Sequence, residues 1–99
     1  MSIRSSTADN VLTISIADRF DFSSYQEFRD CYEHLAEPPG RYIVDFMATT
    51  YIDSSALGML LLLRDHGGGD DAANELINCN PDVRKILTIS NFAQLFEIR

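Results

Sequence analysis

The hydrophobic period changes several times along the chain, and each change marks an element. Leu12, Ile14 and Ile16 alternate with Thr13 and Ser15, the period-two pattern of a half-buried strand. The Ala8-Asp9-Asn10 cluster before it predicts a turn, and a short first strand at about residues 2–7 would complete a hairpin. The period then becomes three and four. Tyr25, Phe28, Tyr32 and Leu35 form one stripe, with Gln26, Glu27, Asp30 and Glu33 on the other face. Ser24 with Glu27, and Ser23 with Gln26, have capping-box spacing, so an amphipathic helix starts here and ends before the prolines. After the Glu37-Pro38-Pro39-Gly40 turn, Tyr42-Ile43-Val44 and Phe46-Met47 form a nearly continuous apolar run interrupted by Asp45. That pattern predicts a central strand covered on both faces.

A second helix runs from near Ser54 to His66, where the Gly67-Gly68-Gly69-Asp70-Asp71 cluster stops it. Leu57, Leu60, Leu61 and Arg64 share one of its faces; Ser55, Met59, Leu62 and Leu63 fall towards another. Leu76-Ile77 with Cys79 predicts a further buried strand. Asn80-Pro81-Asp82 is a helix start with a cap, a proline at the first position and an acid in the first turn. Val83, Ile86 and Leu87 make that helix's stripe, and Leu95, Phe96 and Ile98 predict a last strand. The order β-β-α-β-α-β-α-β is that of an α/β fold, a helix-covered sheet with parallel crossovers.

Length and composition narrow the function. Ninety-nine residues make one domain, 1–99, too small for an active site between two lobes. No apolar run approaches the ~18–20 residues that span a bilayer, and the start lacks the pattern of a signal peptide. The net charge of −7 disfavours nucleic acid and anionic membranes, and points to protein partners with neutral or basic faces. Cys31 and Cys79 lie far apart without a CxxC motif and read as reduced thiols of a cytoplasmic protein.

Catalytic sets are missing. There is no GxSxG, GxxxxGK[ST] or GxGxxG, and His34 and His66 sit near helix ends without a partner for catalysis or metal binding. No catalytic residue, metal site or cofactor is expected. Phosphoacceptor receiver domains resemble one another in an acidic pair and a lysine after the last strand; here the sole lysine, Lys85, falls inside a helix.

One segment stands out: Tyr51-Ile52-Asp53-Ser54-Ser55-Ala56-Leu57-Gly58, which joins a buried strand to a helix. Plain capping chemistry would select Asp-Ser-Ser there. A serine at a helix N-terminus also lies beside unsatisfied N–H groups at the positive end of the dipole, where a phosphate is stabilised and adds about −1.5 to −2 charge. Such a site suits an on/off binding switch with no catalysis of its own. Unmodified Ser54 could itself cap the helix.

Together with Val44-Asp45-Phe46, this segment resembles the signature of the bacterial STAS-domain anti-sigma factor antagonists. Arg19-Phe20-Asp21 is similar to the family's acidic turn, Asn80-Pro81-Asp82-Val83-Arg84-Lys85-Ile86-Leu87 to its third helix start, and Ile89-Ser90-Asn91-Phe92 to the turn after it. The Arg-Phe-Asp-Phe and Leu-Leu-Leu-Leu-Arg-Asp-His runs look closest to the HsbA type of Gram-negative partner-switching systems.

The resemblance implies a mixed, largely parallel sheet of four to five strands covered by three to four helices. It implies binding to an anti-sigma factor in the unphosphorylated state, release when a serine kinase modifies Ser54, and reversal by a PP2C-type phosphatase. For the HsbA type the implied partner is a response regulator with kinase or phosphatase output, and the implied biology is motility and surface attachment. In this reading Asp53 and Ser55 flank Ser54, and Asp21 lies in the loop beside it. Met59, Leu62 and Leu63 are either core or an apolar patch for partner contact, and any that is exposed is a candidate binding residue. Asp53 could position the Ser54 hydroxyl or a kinase-bound magnesium ion. The family often has glycine where this chain has Asp18 and Ala56. The alternatives are a STAS module that regulates another signalling protein or enzyme, and a minimal hydrolase using Ser54.

Overall fold

A computed structural model describes residues 3–35, 37, 39–68 and 73–99. Pro38, Gly69, Asp70 and Asp71, named above as loop residues, lie outside the described residues. The hairpin forms as expected: β1 (Ile3–Ala8) pairs antiparallel with β2 (Val11–Ile16), in register Ile3↔Ile16 to Ala8↔Val11. Asp9 and Asn10 turn the chain with φ of 52° and 66°, the left-handed pair that a two-residue hairpin loop requires.

The remaining elements are β3 (Asp18–Phe20), a 3-10 turn over Phe22–Ser24, α1 (Tyr25–Glu33), β4 (Arg41–Asp45), β5 (Thr49–Ile52), α2 (Ser54–His66), β6 (Ala73–Ile77), α3 (Pro81–Ile89), a 3-10 turn over Phe92–Gln94 and β7 (Glu97–Ile98). The main sheet has the order β1-β2-β4-β6-β7, and every pair but the hairpin is parallel. The α/β architecture read from the periods is therefore present, as a five-stranded sheet with three α-helices among the described residues.

Burial follows the register. Leu12, Ile14 and Ile16, with Tyr42, Val44 and Leu76 on neighbouring strands, are buried and join Phe28, Tyr32, Leu60, Leu63, Val83 and Leu87 of the helices in one core. The alternate positions, Val11, Thr13, Ile43 and Asp45, are only half-buried. This corrects the expectation that β4 is covered on both faces: one face packs under helices, the other meets solvent. Glu75 is the exception there, buried beneath the guanidiniums of Arg41 and Arg99 at 3.1 and 3.2 Å. β4 also stops at Asp45; Met47, placed in the apolar run, lies beyond it and is exposed. Asp45 instead accepts from the Met47 N–H at 2.9 Å and the Asn78 amide at 3.0 Å, closing the turn.

The helix starts divide similarly. The capping boxes at Ser23 and Ser24 do not form. Ser24 is buried, its hydroxyl is turned to the Arg19 carbonyl as a donor at 3.2 Å, and its oxygen accepts no N–H of the first helical turn. α3 begins as its sequence dictates, with Asn80 Oδ1 accepting from the Val83 N–H at 2.9 Å. At the far end of α2, Gly67 lies against the Tyr42 ring; a Cβ there would come within 2.5 Å of it. That close approach explains a glycine at this position.

Candidate functional site

β3 and β5 are a parallel pair of their own, in register Asp18↔Thr49, Arg19↔Tyr51 and Phe20↔Ile52. Specific hydrogen bonds tie the pair to β2, across itself and to the start of α3. The Thr49 hydroxyl donates to the Ile16 carbonyl at 2.6 Å, the Asp18 N–H to the Ala48 carbonyl at 2.8 Å, and the Asn80 amide to the Thr49 carbonyl at 2.9 Å. Asp18 takes φ 62°, a left-handed conformation that aspartate tolerates better than most residues. Phe20 and Ile52 point into the core, where the Phe20 ring lies 5.0 Å from Phe28 and 6.2 Å from Phe46.

One residue past this buried pair, each strand ends in an aspartate that caps the next helical element. Asp21 Oδ1 accepts from the Ser23 N–H at 3.0 Å and opens the 3-10 turn. Asp53 Oδ1 accepts from the Ala56 N–H at 3.0 Å and opens α2. Two carboxylates thus end adjacent parallel strands. The Ser23 hydroxyl hydrogen bond lowers the Asp21 carboxyl below its ordinary value; desolvation opposes this, and Arg19 adds a further lowering.

Ser54 is the first residue of α2 and is exposed; Ser55 behind it is half-buried. The expectation that Ser54 caps the helix is corrected, because Asp53 holds that position. No described backbone acceptor lies on the Ser54 or Ser55 N–H, as the geometry of a helix start requires. Of Met59, Leu62 and Leu63, read as core or as a partner-contact patch, Met59 and Leu63 are core. They sit in the core at 3% and 0% exposure, with Ala56 and Leu60, because that stripe is the one α2 turns to the sheet. Its exposed apolar residues are Leu61 and Leu62, with Gly58 between them and Ser54.

Three neighbours escaped the sequence reading as site residues. Arg19 lies between the Asp21 carboxylate, at 3.2 Å, and the Tyr51 ring, at 4.7 Å from its centroid. Phe22 is 70% exposed and stacks on Tyr25 with ring centroids 5.9 Å apart. Tyr51 is exposed as well. Arginine and aspartate flanking a buried Phe20 is the period-two signal that could have placed Arg19 on the solvent side. Among the described residues no group of His, Cys, Asp and Glu could hold a metal ion, and no helix is long and apolar enough to cross a membrane.

Comparison with known proteins fits this geometry. The STAS domain family matches residues 2–99. A STAS-domain containing protein of Pseudomonas aeruginosa (strain UCBPP-PA14) is 64% identical over 87 residues, covering 88% of this chain and 86% of that one. In fold, the chain is similar to the Bacillus cell fate determinant SpoIIAA in its phosphorylated form, with a TM-score of 0.75 at 16% identity over 98% of this chain and 90% of the other. It is likewise similar to an anti-sigma factor antagonist from Mycobacterium paratuberculosis, with a TM-score of 0.77 at 15% identity over 97% and 82%.

Proposed function

The chain belongs to the STAS domain family, and on that premise we propose that it is a cytoplasmic anti-sigma factor antagonist of the HsbA type, switched by phosphorylation of Ser54. Unmodified, it binds an anti-sigma factor and frees the sigma factor. A serine kinase transfers the γ-phosphoryl group of a nucleoside triphosphate to Ser54 Oγ, with loss of the hydroxyl proton and release of the diphosphate; the anti-sigma factor then lets go. A PP2C-type phosphatase, in or beside a response regulator, restores the hydroxyl. The chain supplies the surface and the acceptor, and carries out no reaction itself.

The observation that carries this reading is the exposed Ser54 hydroxyl at the first position of a helix already capped by Asp53. The hydroxyl is not needed for the fold, so it is free to be modified. A phosphate there meets the N–H groups of the helix start, which favour it internally. On its outer side it adds about −1.5 to −2 charge next to Asp53, on the helix that exposes Leu61 and Leu62 about two turns further on. A partner face that desolvates those apolar groups would have to desolvate the phosphate as well.

The test pairs mass spectrometry of the native protein with calorimetric binding of the candidate anti-sigma factor. One phosphate on the Ser54 peptide is expected. Ser54→Ala should bind as tightly as the unmodified protein, and Ser54→Asp should bind at least about tenfold more weakly, or about 1.4 kcal/mol. Equal affinity of Ser54→Asp and wild type would rule out the charge switch. Capture of a signalling enzyme in place of an anti-sigma factor would favour the other STAS reading.

A further inference from the structure

With Ser54 taken as the phosphoacceptor, we propose that Arg19 is the internal partner of its phosphate: on phosphorylation the Arg19 guanidinium leaves the Asp21 carboxylate and the Tyr51 ring and takes the phosphate oxygens.

The solvent side of the β3–β5 pair has one cation among acids. Arg19 stands there against the Asp21 carboxylate, with Asp18 before it on its own strand and the cap Asp53 at the end of the paired one. Its side chain is 68% exposed, and its polar contact is the single bond from Nε to Asp21. An ion pair that open to water holds its members weakly, so the guanidinium is free to exchange partners. Asp21 does not depend on it. Its carboxylate keeps the Ser23 N–H and the Ser23 hydroxyl when Arg19 leaves.

Register brings Arg19 near Ser54. Arg19 pairs with Tyr51 and Phe20 with Ile52, where the pairing ends; Asp21 and Asp53 each come one residue later, and Ser54 one after that. The guanidinium already reaches along its strand to Asp21. From Asp21, the Ser54 Cα is one strand spacing across, about 4.8 Å, and one residue further on, about 3.8 Å, or about 6 Å in all. A phosphoryl group on Oγ and rotation of an exposed arginine can close that distance.

Energetics favour the exchange. A dianion beside the Asp21 and Asp53 carboxylates is repelled, and the N–H groups of α2 offset only part of that. A guanidinium offers two parallel N–H donors to phosphate, a stronger and more directional contact than its exposed bond to Asp21. The exchange also changes the surface beyond Ser54: the Tyr51 ring is uncovered and Asp21 loses its counter-ion. Phosphorylation then alters three contact features at once.

The experiment uses the full chain with phosphoserine incorporated at position 54, independent of any kinase. Phosphorus-31 NMR follows the second ionisation of the phosphate, which Asp18, Asp21 and Asp53 raise and Arg19 and the α2 N–H groups lower. Arg19→Gln should shift that ionisation upward by at least about half a pH unit, or about threefold in acid constant. Arg19→Lys should recover part of the shift. Arg29→Gln, which removes a charge from α1, should leave it unchanged. A titration indifferent to Arg19→Gln overturns the ion-pair exchange. Binding of the anti-sigma factor is measured on the same samples. If phosphoserine leaves affinity unchanged while Arg19 moves the titration, the proposed function fails and the pair stands. If affinity falls and the titration ignores Arg19, the function stands and the pair is wrong.

Discussion

α2 and α3 begin with the same device and put it to different use. Asp53 accepts from the Ala56 N–H at 3.0 Å, and Asn80 accepts from the Val83 N–H at 2.9 Å; both caps have extended backbone before a helix. After the cap, α3 places Pro81, which has no N–H and nothing to modify. α2 places Ser54, an exposed hydroxyl. Asn80 also donates to the Thr49 carbonyl, so its side chain ties α3 to β5. Asp53 has no such second bond among the described residues. A helix N-terminus is therefore not in itself a site. The residue after the cap and the strands beside it decide whether the cap serves structure or function.

The most forceful way to probe the α2 side of this comparison is to separate its two apolar faces. Leu63 is fully buried, and Leu63→Ala should cost about 2–5 kcal/mol in urea denaturation through lost contacts and a cavity. Leu62, its neighbour in sequence, is half exposed, and Leu62→Ala should change stability by about 0.5 kcal/mol or less while weakening the proposed anti-sigma complex. Comparable stability losses in the two variants would show that α2 is rotated from the orientation described.

The caps come next. Asp53→Ala removes one hydrogen bond at a helix start, a loss of about 1 kcal/mol. Asn80→Ala removes the equivalent bond and also strips the Thr49 carbonyl of its amide donor, so its loss should reach about 2 kcal/mol. Thermal and chemical denaturation of the pair measures the difference. Equal losses would mean that the tie to β5 contributes nothing and that the two caps are alike in more than geometry.

β1, exposed from Arg4 to Ala8, has no alternation and is legible only through the Asp9-Asn10 turn; β2, the three helices and the parallel crossovers are legible because each has several residues of one period to announce it. β3 and β5 are not. They have three and four residues, too few for an alternation, and their pairing joins positions about thirty residues apart. The Asp53-Ser54-Ser55 junction is visible as a cap pattern, but Arg19 and Tyr51 reach it only through that unseen pairing. Within α2, nearly every position from Leu57 to Leu63 is apolar, so composition cannot tell which residues face the core. Packing makes that choice, and it buries Met59 and Leu63 while leaving Leu61 and Leu62 outside. At Ser24 and Glu27 the motif is present without its function, because Ser24 is drawn inward to the Arg19 carbonyl.

The smallest expected effect is at Gly58, in the middle of α2 on the exposed side. A Cβ built there meets nothing within 4 Å, and the backbone has no left-handed φ that would require glycine. Glycine in a helix interior costs roughly 0.5–1 kcal/mol relative to alanine. Nothing inside the molecule compensates for that. Gly58 follows Ser54 by one helical turn and precedes the exposed Leu61 and Leu62, so it leaves a flat strip through the proposed contact surface. A bare backbone lets a partner chain approach α2 more closely than any side chain would. Gly58→Ala should therefore raise stability by about 0.5–1 kcal/mol in denaturation and lower affinity for the anti-sigma factor in calorimetry. α3 has no glycine to offer the same trade, since its exposed face carries Asp82, Arg84 and Lys85. A variant that is more stable and binds as tightly as wild type would remove Gly58 from the contact surface and leave Ser54, Leu61 and Leu62 to form it.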